Sequence, residues 1–397
     1  MHIPSERIYR EMYSEEASLW FTLANDGEEE AILVKVPTAS IKSMIVGCEF
    51  KIVIGLYENY SCSGIRIFDI PGRPLLVAGV QRYEEEHEAL RRILSKKRVP
   101  LFLFNEMNFC VAWSNAELNH ASSAESLQKL DGNEPLYTGV FSREASLALD
   151  NFCFSVDDSQ HFEDPKKIEL IEIPIERGPW TANRISVVGL HDRKDIVITN
   201  KIEGDVLEAV TWSALESVFP LTLRHRPQVK IGDKSRELID VAASYEHGSI
   251  FFEAKDLSIL NATMQRTYER RISSVQGHIK KAIGQLVGAS KAVKRGELVF
   301  NEDGSLLDLN LSKPIHCIVL ITEFIEDGDW HDVHSTIYRA MKETGDFFHV
   351  LDLRELVMLL KISKGKPDHF DYHLIKRLKL CIENKVVHVR TRFGPAG

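Results

Sequence analysis

Two acids and a lysine stand close together in the segment RELIDVAASYEHGSIFFEAKD, and they are Asp240, Glu253 and Lys255. Hard divalent cations such as Mg²⁺ take oxygen ligands, typically one or two carboxylates with waters and a substrate phosphate. A cation bound in this way polarises a phosphoryl oxygen and lowers the pKa of a bound water. A lysine beside the cation can orient that water or stabilise the charge that develops on the phosphate. The three residue types therefore fit metal-assisted hydrolysis of a phosphodiester.

Two neighbouring strands are needed to bring these residues together. Leu238–Tyr245 and Ser249–Lys255 are β-like runs, and the turn-competent residues between them predict a hairpin. Glu253 and Lys255 are two positions apart, so they project from the same face of the second strand. Asp240 on the first strand can then lie opposite them.

The residues after the hairpin predict a long helix. Apolar residues recur at helical spacing within Ser273–Lys294, and they are Val275, Ile279, Ala282, Ile283, Leu286 and Val287. Lys281 and Gln285 are four residues apart and therefore share a face of this helix. Three glycines in the same segment lower its helix propensity, which suggests that they pack closely against a neighbour.

The chain has a formal net charge of −9, which taken alone argues against a nucleic acid as the partner. The segment from Thr222 to Glu297 differs, because it holds fourteen Lys or Arg against eight Asp or Glu. A phosphate backbone responds to local charge, so this segment is a candidate nucleic-acid surface. The alternative is a solvated helical face that happens to be basic. The candidate contacts are Arg270, Arg271, Lys280 and Lys281.

A family resemblance becomes visible at this point. The strand, the spacing D-x(12)-E-A-K and the helix with K-A-I-G-Q-L resemble the PD-(D/E)xK nuclease superfamily, whose members share a restriction-endonuclease-like fold. The likeness covers residues 230–295, and defence-associated and restriction-type members are the most similar. It continues more loosely to residue 380 through FHVLDLREL and HFDYHLIKRLKL, which resemble the closing strand and helices of these nucleases.

The resemblance implies a role for each residue of the motif. Asp240 and Glu253 would hold Mg²⁺, with Mn²⁺ able to substitute, and the main-chain carbonyl of Ala254 would add a metal ligand. Lys255 would position the attacking water. Gln285 on the following helix, or Lys281 on the same helix, would assist catalysis.

The chain departs from the family pattern in three places. The residue before Asp240 is Ile239 rather than proline. The family's acid on the preceding helix could be Glu208 or Glu216, and the sequence does not choose between them. Glu237 precedes Asp240 by three residues, so in a regular strand it would face the other way. It joins the site only if the strand begins or bulges between the two residues.

The length of 397 residues predicts two domains, and the pattern of elements places the boundary near residue 200. We expect an α/β protein. An α+β domain over residues 1–200 would precede a restriction-endonuclease-like domain over residues 201–397, with a mixed central sheet flanked by helices. Residues 1–200 show no resemblance to a known family.

Three features of the N-terminal part give specific structural expectations. The segment Ser5–Leu23 predicts a helix with an apolar face. The polar run Asn119–Pro135 is typical of a loop or linker. Pro174 lies in an alternating run, Lys167–Glu176, that predicts a half-buried strand, and the proline favours an edge position for it.

Other classes of protein lack support in the sequence. The six cysteines show neither CxxC pairs nor zinc-ligand spacing. No phosphate-binding loop, dinucleotide fingerprint or nucleophile elbow is present. No run approaches the roughly 18 apolar residues of a membrane helix, and the N-terminus lacks the apolar core of a signal peptide. We therefore expect a cytoplasmic protein with no membrane partner.

These features together predict a Mg²⁺-dependent nuclease that cuts DNA, and the resemblance suggests a place in bacterial defence against phage. Residues 1–200 would sense a trigger, bind a protein partner or form a homo-oligomer. Two alternatives stay open. One is an inactive nuclease fold that serves as a DNA-binding or scaffolding subunit, and the other is an RNase.

Overall fold

The computed structural model describes most of the chain, namely residues 4–24, 29–133, 135–159, 162, 164–200, 203–231, 234–256 and 268–391. Within it the chain divides into two compact units, one up to Asn183 and one from Arg184 onward. The division lies N-terminal to the boundary that the sequence predicts near residue 200. The reason is a hairpin after Arg184 that packs on the first helix of the second unit, with Ile196 and Ile198 buried.

The first unit is α+β. Its elements are α1 Glu6–Ser14, β1 Ser18–Ala24, β2 Glu29–Lys35, α2 Thr38–Val46, β3 Phe50–Tyr57, β4 Tyr60–Ile67, β5 Leu75–Val80, α3 Glu84–Ser95, β6 Arg98–Phe104, β7 Cys110–Leu118, α4 His120–Asp131, α5 Arg143–Asp157, β8 Leu170–Arg177 and β9 Thr181–Ala182. The strands form one sheet in the order β1-β2-β6-β7-β8-β3-β4-β5, with β9 beside β7. All neighbouring strands in it are antiparallel except β2 and β6.

The strand that contains Pro174, β8, lies inside this sheet, so the predicted edge position is wrong. β8 changes partner at the proline. It pairs with β3 up to Pro174 and with β7 from Ile175 onward. The carbonyl of Pro174 accepts a hydrogen bond from the backbone N–H of Asn119. Because the two neighbouring strands divide β8 at this residue, the missing N–H of proline is tolerated.

The predicted helix over Ser5–Leu23 is only half correct. It ends at Ser14, and β1 follows from Ser18. Leu19, Trp20 and Phe21 are consecutive and all buried. A strand that is covered on both faces can bury consecutive residues. A surface helix buries only the residues of one stripe, which are three or four positions apart.

The predicted loop Asn119–Pro135 is largely the helix α4. Asn119 caps this helix, because its side chain accepts a hydrogen bond from the backbone N–H of Ser122. Most of the buried residues of α4 are small and polar, such as Ser123 and Ser126. The apolar stripe that would have predicted the helix is therefore missing from the sequence.

The second unit is a mixed α/β structure. Its elements are β10 Arg184–Val188, β11 Arg193–Val197, α6 Glu203–Leu215, β12 Arg224–His225, β13 Gln228–Ile231, β14 Lys234–Glu237, β15 Val241–Tyr245, β16 Gly248–Lys255, α7 Tyr268–Lys294, β17 Val299–Phe300, β18 His316–Ile321, α8 His331–Thr344, β19 Phe347–Asp352, α9 Leu353–Ser363 and α10 Pro367–Asn384. None of the helices in the described ranges of the chain is long and apolar enough to cross a bilayer.

A mixed five-stranded sheet forms the centre of the second unit, in the order β12-β15-β16-β18-β19. β12, β15 and β16 are antiparallel, whereas β16, β18 and β19 run parallel. α7 packs on the face that carries Phe251 and Cys317. α10 lies on the other face, where Asp371 is hydrogen-bonded to Tyr245 and His316. The carboxyl ends of the parallel strands therefore share one edge of a sheet with helices on both faces.

The three glycines of α7 do not pack closely against a neighbour, so that prediction is wrong. A Cβ built on Gly277, Gly284 or Gly288 meets no atom of the described residues within 4 Å. These positions lie beside exposed residues such as Lys281 and Gln285. The apolar stripe of the helix packs on the sheet instead, and all of its predicted residues except Val287 are buried.

We expect Gly284→Ala to stabilise the protein by about 0.5–1 kcal/mol, because glycine inside an exposed helix costs that much relative to alanine. The measurement is the urea midpoint of unfolding. Gly296→Ala is the matched control, since Gly296 also lies in open space but has a φ of +85° that strains alanine. Gly296→Ala should be destabilised. A Gly284→Ala variant that is destabilised as well would contradict the expectation.

Candidate active site

The predicted hairpin is present and places Asp240 next to Glu253. β15 pairs with β16 so that Val241 lies opposite Phe252, and extending this register by one residue sets Asp240 opposite Glu253. Asp240 Oδ2 accepts a hydrogen bond of 2.6 Å from the backbone N–H of Ala254. This bond fixes one carboxylate oxygen of Asp240 at the end of the hairpin.

Glu253 and Lys255 lie on the same face of β16, as their spacing predicts. Lys255 Nζ is 2.6 Å from Glu253 Oε1. Glu253 is 2% exposed and Asp240 is 6% exposed, so both carboxylates are buried. Lys255 ends β16 beside Ile321 of the parallel strand β18. The pair of acids and the lysine thus meet at the carboxyl edge of the sheet, where open α/β sheets bind their ligands.

Glu237 joins this group because the strand is interrupted before Asp240. β14 ends at Glu237 and belongs to a separate sheet of order β14-β13-β17, whereas β15 begins only at Val241. The alternation of faces along a single strand therefore does not apply between Glu237 and Asp240. Arg226 Nε lies 3.9 Å from Glu237 Oε2 and 2.9 Å from Glu208 Oε2, so Glu237 lies beside the other acids.

The structure distinguishes the two candidate acids on α6. Glu208 is 9% exposed, and it contacts the guanidinium of Arg226, whose backbone N–H donates a hydrogen bond to the carbonyl of Asp240. Glu216 lies elsewhere, because its carboxylate accepts a hydrogen bond of 2.7 Å from the backbone N–H of Leu190. The acid that α6 brings to the cluster is therefore Glu208.

Burial and mutual repulsion make this cluster difficult to ionise fully. Burial raises the pKa of Asp240 to about 8, and the charges of Glu253 and Glu208 add to the effect. Burial also raises the pKa of Glu253, while Lys255 opposes this shift. Perturbed carboxyl groups of this kind are characteristic of functional sites. A cation placed among them would favour their ionised forms.

In the absence of divalent metal, we expect the free energy of unfolding to fall as the pH rises from about 4 to about 8. The pKa of Asp240 rises from its ordinary 3.8 to about 8 on folding. The folded protein therefore holds a proton that the unfolded chain has lost in this interval, and deprotonation costs stability. Urea unfolding in EDTA across this pH range measures the effect. Asp240→Asn should flatten the dependence, and an unchanged slope in that variant would contradict the assignment.

The donor set fits a small hard cation that keeps most of its waters. In the described part of the chain, no group of three or more His, Cys, Asp or Glu side chains is arranged to hold a metal. Mg²⁺ does not require one, since it usually binds through one or two carboxylates together with waters and substrate phosphates. Asp240 and Glu253 supply two carboxylates, and the carbonyl of Ala254 lies between Glu253 and Lys255 on the same strand.

The predicted assisting and nucleic-acid-binding residues lie on α7. Gln285, Lys281 and Arg270 are exposed, and within the described residues Gln285 makes no hydrogen bond to the acids. Arg271 is half-buried. Lys280 already has an acidic partner, Asp332 Oδ2 of α8, at 2.5 Å, so its charge is less available to a phosphate than the sequence suggested.

One residue of the cluster was not predicted. Arg226 follows β12, and its guanidinium contacts Glu208, Asp205 and Glu237. Its backbone N–H donates a hydrogen bond of 2.7 Å to the carbonyl of Asp240. No motif in the sequence marks it, because its contacts are made by tertiary packing of α6 against the hairpin region.

Comparison with protein-family models, with characterised proteins and with solved structures finds no match to this chain. The geometry of the acidic cluster is thus what supports a function.

Proposed function

We propose that the second unit is a Mg²⁺-dependent nuclease that hydrolyses phosphodiester bonds, with DNA as the substrate. One observation carries the proposal: two buried carboxylates, Asp240 and Glu253, lie opposite each other at the carboxyl edge of the sheet, with Lys255 Nζ 2.6 Å from Glu253. Burying two acids is costly unless they are paired or bind a metal. In the described residues Lys255 is the one Lys or Arg side chain paired with these two acids, so the two carboxylates share a single cation.

Each residue of the site has its own role in the proposed hydrolysis. Asp240 and Glu253 would hold the cation through their carboxylates, and Ala254 would contribute its carbonyl. Mg²⁺, when bound, polarises the phosphoryl oxygen and lowers the pKa of a coordinated water. Lys255 donates hydrogen bonds that hold the attacking water or the phosphate oxygens in place. Glu208 adds negative charge that attracts the cation to this end of the sheet.

Three features favour a nucleic acid and a restriction-endonuclease-like arrangement. The order of elements is a hairpin with D-x(12)-E-A-K, a long helix, two parallel strands and closing helices, which matches the resemblance in the sequence. α7 contains six Lys or Arg and a single acid, Glu269, and three of the six, Lys280, Lys291 and Lys294, pair with acids outside the helix. Arg270 and Lys281 are exposed on it. In this proposal the first unit regulates the nuclease or binds a partner, in a role related to defence against foreign DNA.

The deciding experiment is a cleavage assay with the full chain on DNA and RNA of identical sequence, each single- and double-stranded, with Mg²⁺, Mn²⁺ or EDTA. The proposal expects metal-dependent cleavage of DNA that EDTA abolishes. Cleavage of RNA alone would assign an RNase instead. Tight binding of DNA without cleavage under any metal would favour the inactive nuclease fold, a DNA-binding subunit.

A further inference from the structure

We infer that the edge strand β14, through Lys234 and Arg236, binds the phosphate backbone of the DNA that enters the candidate active site. The inference deepens the proposed function and rests on it, since it assigns the substrate a contact surface next to the acids. This surface lies outside α7, the helix that carries the basic residues singled out by the sequence.

The first support is the exposure of β14 and the state of its two positive charges. All four residues of β14 are exposed. In the described ranges of the chain, neither Lys234 nor Arg236 is paired with an acid. Lys280 on α7, in contrast, is 2.5 Å from Asp332. A phosphate that approaches β14 therefore does not have to displace an existing ion pair.

The second support is the direction of the two side chains. β14 pairs with β13 so that Arg236 lies opposite Val229, and residues opposite each other in an antiparallel pair project from the same face. Lys234 is two positions from Arg236 and therefore shares that face. Val229 is buried in a core that also contains residues of α7, whereas Arg236 is exposed. The two charges thus lie together at the open edge of a face whose centre is packed.

The third support is the short stretch of chain between β14 and the site. Arg236 precedes Asp240 by four residues, so at most about 14 Å separates their Cα atoms, and for Lys234 the limit is about 22 Å. Glu237, the last residue of β14, already lies beside the acids, since its Oε2 is 3.9 Å from Arg226 Nε. One turn of duplex DNA is about 34 Å long. Both cations therefore lie within one turn of a phosphodiester bond held at Asp240.

The chemistry of the two residues suits a phosphate backbone. An arginine guanidinium can donate two parallel hydrogen bonds to one phosphate, and a lysine ammonium binds phosphate as a point charge. Within the part of the chain that the structure describes, β14 is the outer strand of the sheet β14-β13-β17. Basic residues on an exposed edge strand have a second use, because they prevent pairing with strands of other molecules. The two uses predict different results when the charges are removed.

The test is the affinity of the full-length protein for a DNA duplex of about 30 base pairs in EDTA, measured by fluorescence anisotropy from about 50 to about 200 mM salt. We expect Lys234→Gln combined with Arg236→Gln to weaken binding by about 10–100-fold at about 0.1 M salt. The slope of log affinity against log salt should become shallower by about 2, since two phosphate contacts are lost. The charge-preserving pair Lys234→Arg with Arg236→Lys should bind within about threefold of the wild type. Lys376→Gln with Lys379→Gln is the matched control, because both lysines are exposed on α10 and the net charge changes equally.

Several outcomes would overturn the inference. Wild-type affinity and salt slope in the doubly neutralised β14 variant would do so, and so would an equal loss of affinity in the α10 control, since the effect would then follow the total charge. Unchanged affinity together with aggregation, measured by light scattering, would show that the two charges only protect an edge strand. A wild-type chain with no affinity for the duplex would also overturn it. A chain that binds DNA through β14 but does not cut it with Mg²⁺ or Mn²⁺ would instead reject the nuclease and keep the contact surface.

Discussion

Lys255→Ala is expected to slow Mg²⁺-dependent DNA cleavage by about 100–1000-fold, the usual cost of removing one preorganised donor from a site of developing charge. Its ammonium is the only Lys or Arg group within hydrogen-bond distance of Glu253 in the described part of the chain. The measurement is the single-turnover rate at saturating protein. Lys379→Ala, an exposed lysine of α10, is the control and should cut at the wild-type rate.

The same variant should also lose stability. Lys255 is the partner of Glu253, a carboxylate that is 2% exposed. Leaving a buried group without its partner costs about 1–3 kcal/mol. Cleavage must therefore be compared at a temperature where urea unfolding shows both proteins folded. A folded Lys255→Ala that cuts at the wild-type rate would refute the assigned mechanism.

A fragment of residues 184–397 is expected to fold alone and to cut DNA at least as fast as the full chain, without the control that residues 1–183 exert in the proposal. All the candidate site residues lie in the second unit, which has its own core. A fragment that begins at residue 201 should be much less stable, because it lacks the β10–β11 hairpin. Burial of Ile196 and Ile198 alone is worth about 3–6 kcal/mol, against a total of about 5–15 kcal/mol for a domain.

The comparison of the two fragments is the measurement, by urea unfolding and by metal-dependent cleavage. Equal stability of both would show that the hairpin contributes little and would return the boundary to residue 200. A folded but inactive fragment 184–397 would mean that the first unit completes the site or binds the substrate. The regulatory role proposed for the first unit would then be dropped.

Much of the second unit could be predicted from local patterns. The β15–β16 hairpin and α7 have strong periodicity, and Asp240, Glu253 and Lys255 meet because register follows from the hairpin itself. The secondary structure of the first unit was harder to predict where consecutive residues are buried or where the buried residues are small and polar. Neither the strand through Leu19 nor the helix α4 has the periodic signal on which such predictions depend.

The contribution of α6 to the cluster could not be predicted. The choice of Glu208 over Glu216 depends on how α6 packs against the region after β12, and the bridge to Arg226 spans 18 positions of sequence. Glu237 lies beside the other acids only because the strand is interrupted before Asp240. Contacts of this kind are set by tertiary packing, and no spacing rule along the chain encodes them.

The interruption between β14 and β15 divides the acids between two sheets, and the sequences of these two sheets can change independently in evolution. Asp240 and Glu253 lie opposite each other on the two sides of one hairpin, so a change in its register would separate them. Glu237 ends a strand of a small three-stranded sheet, where it lies opposite Gln228, and a change in the pairing of β13 with β14 would move that acid without changing the β15–β16 register. Related chains could thus vary the net charge of the cluster while keeping the central pair. Exchanging residues 228–237 between such chains would be a practical route to altered metal preference.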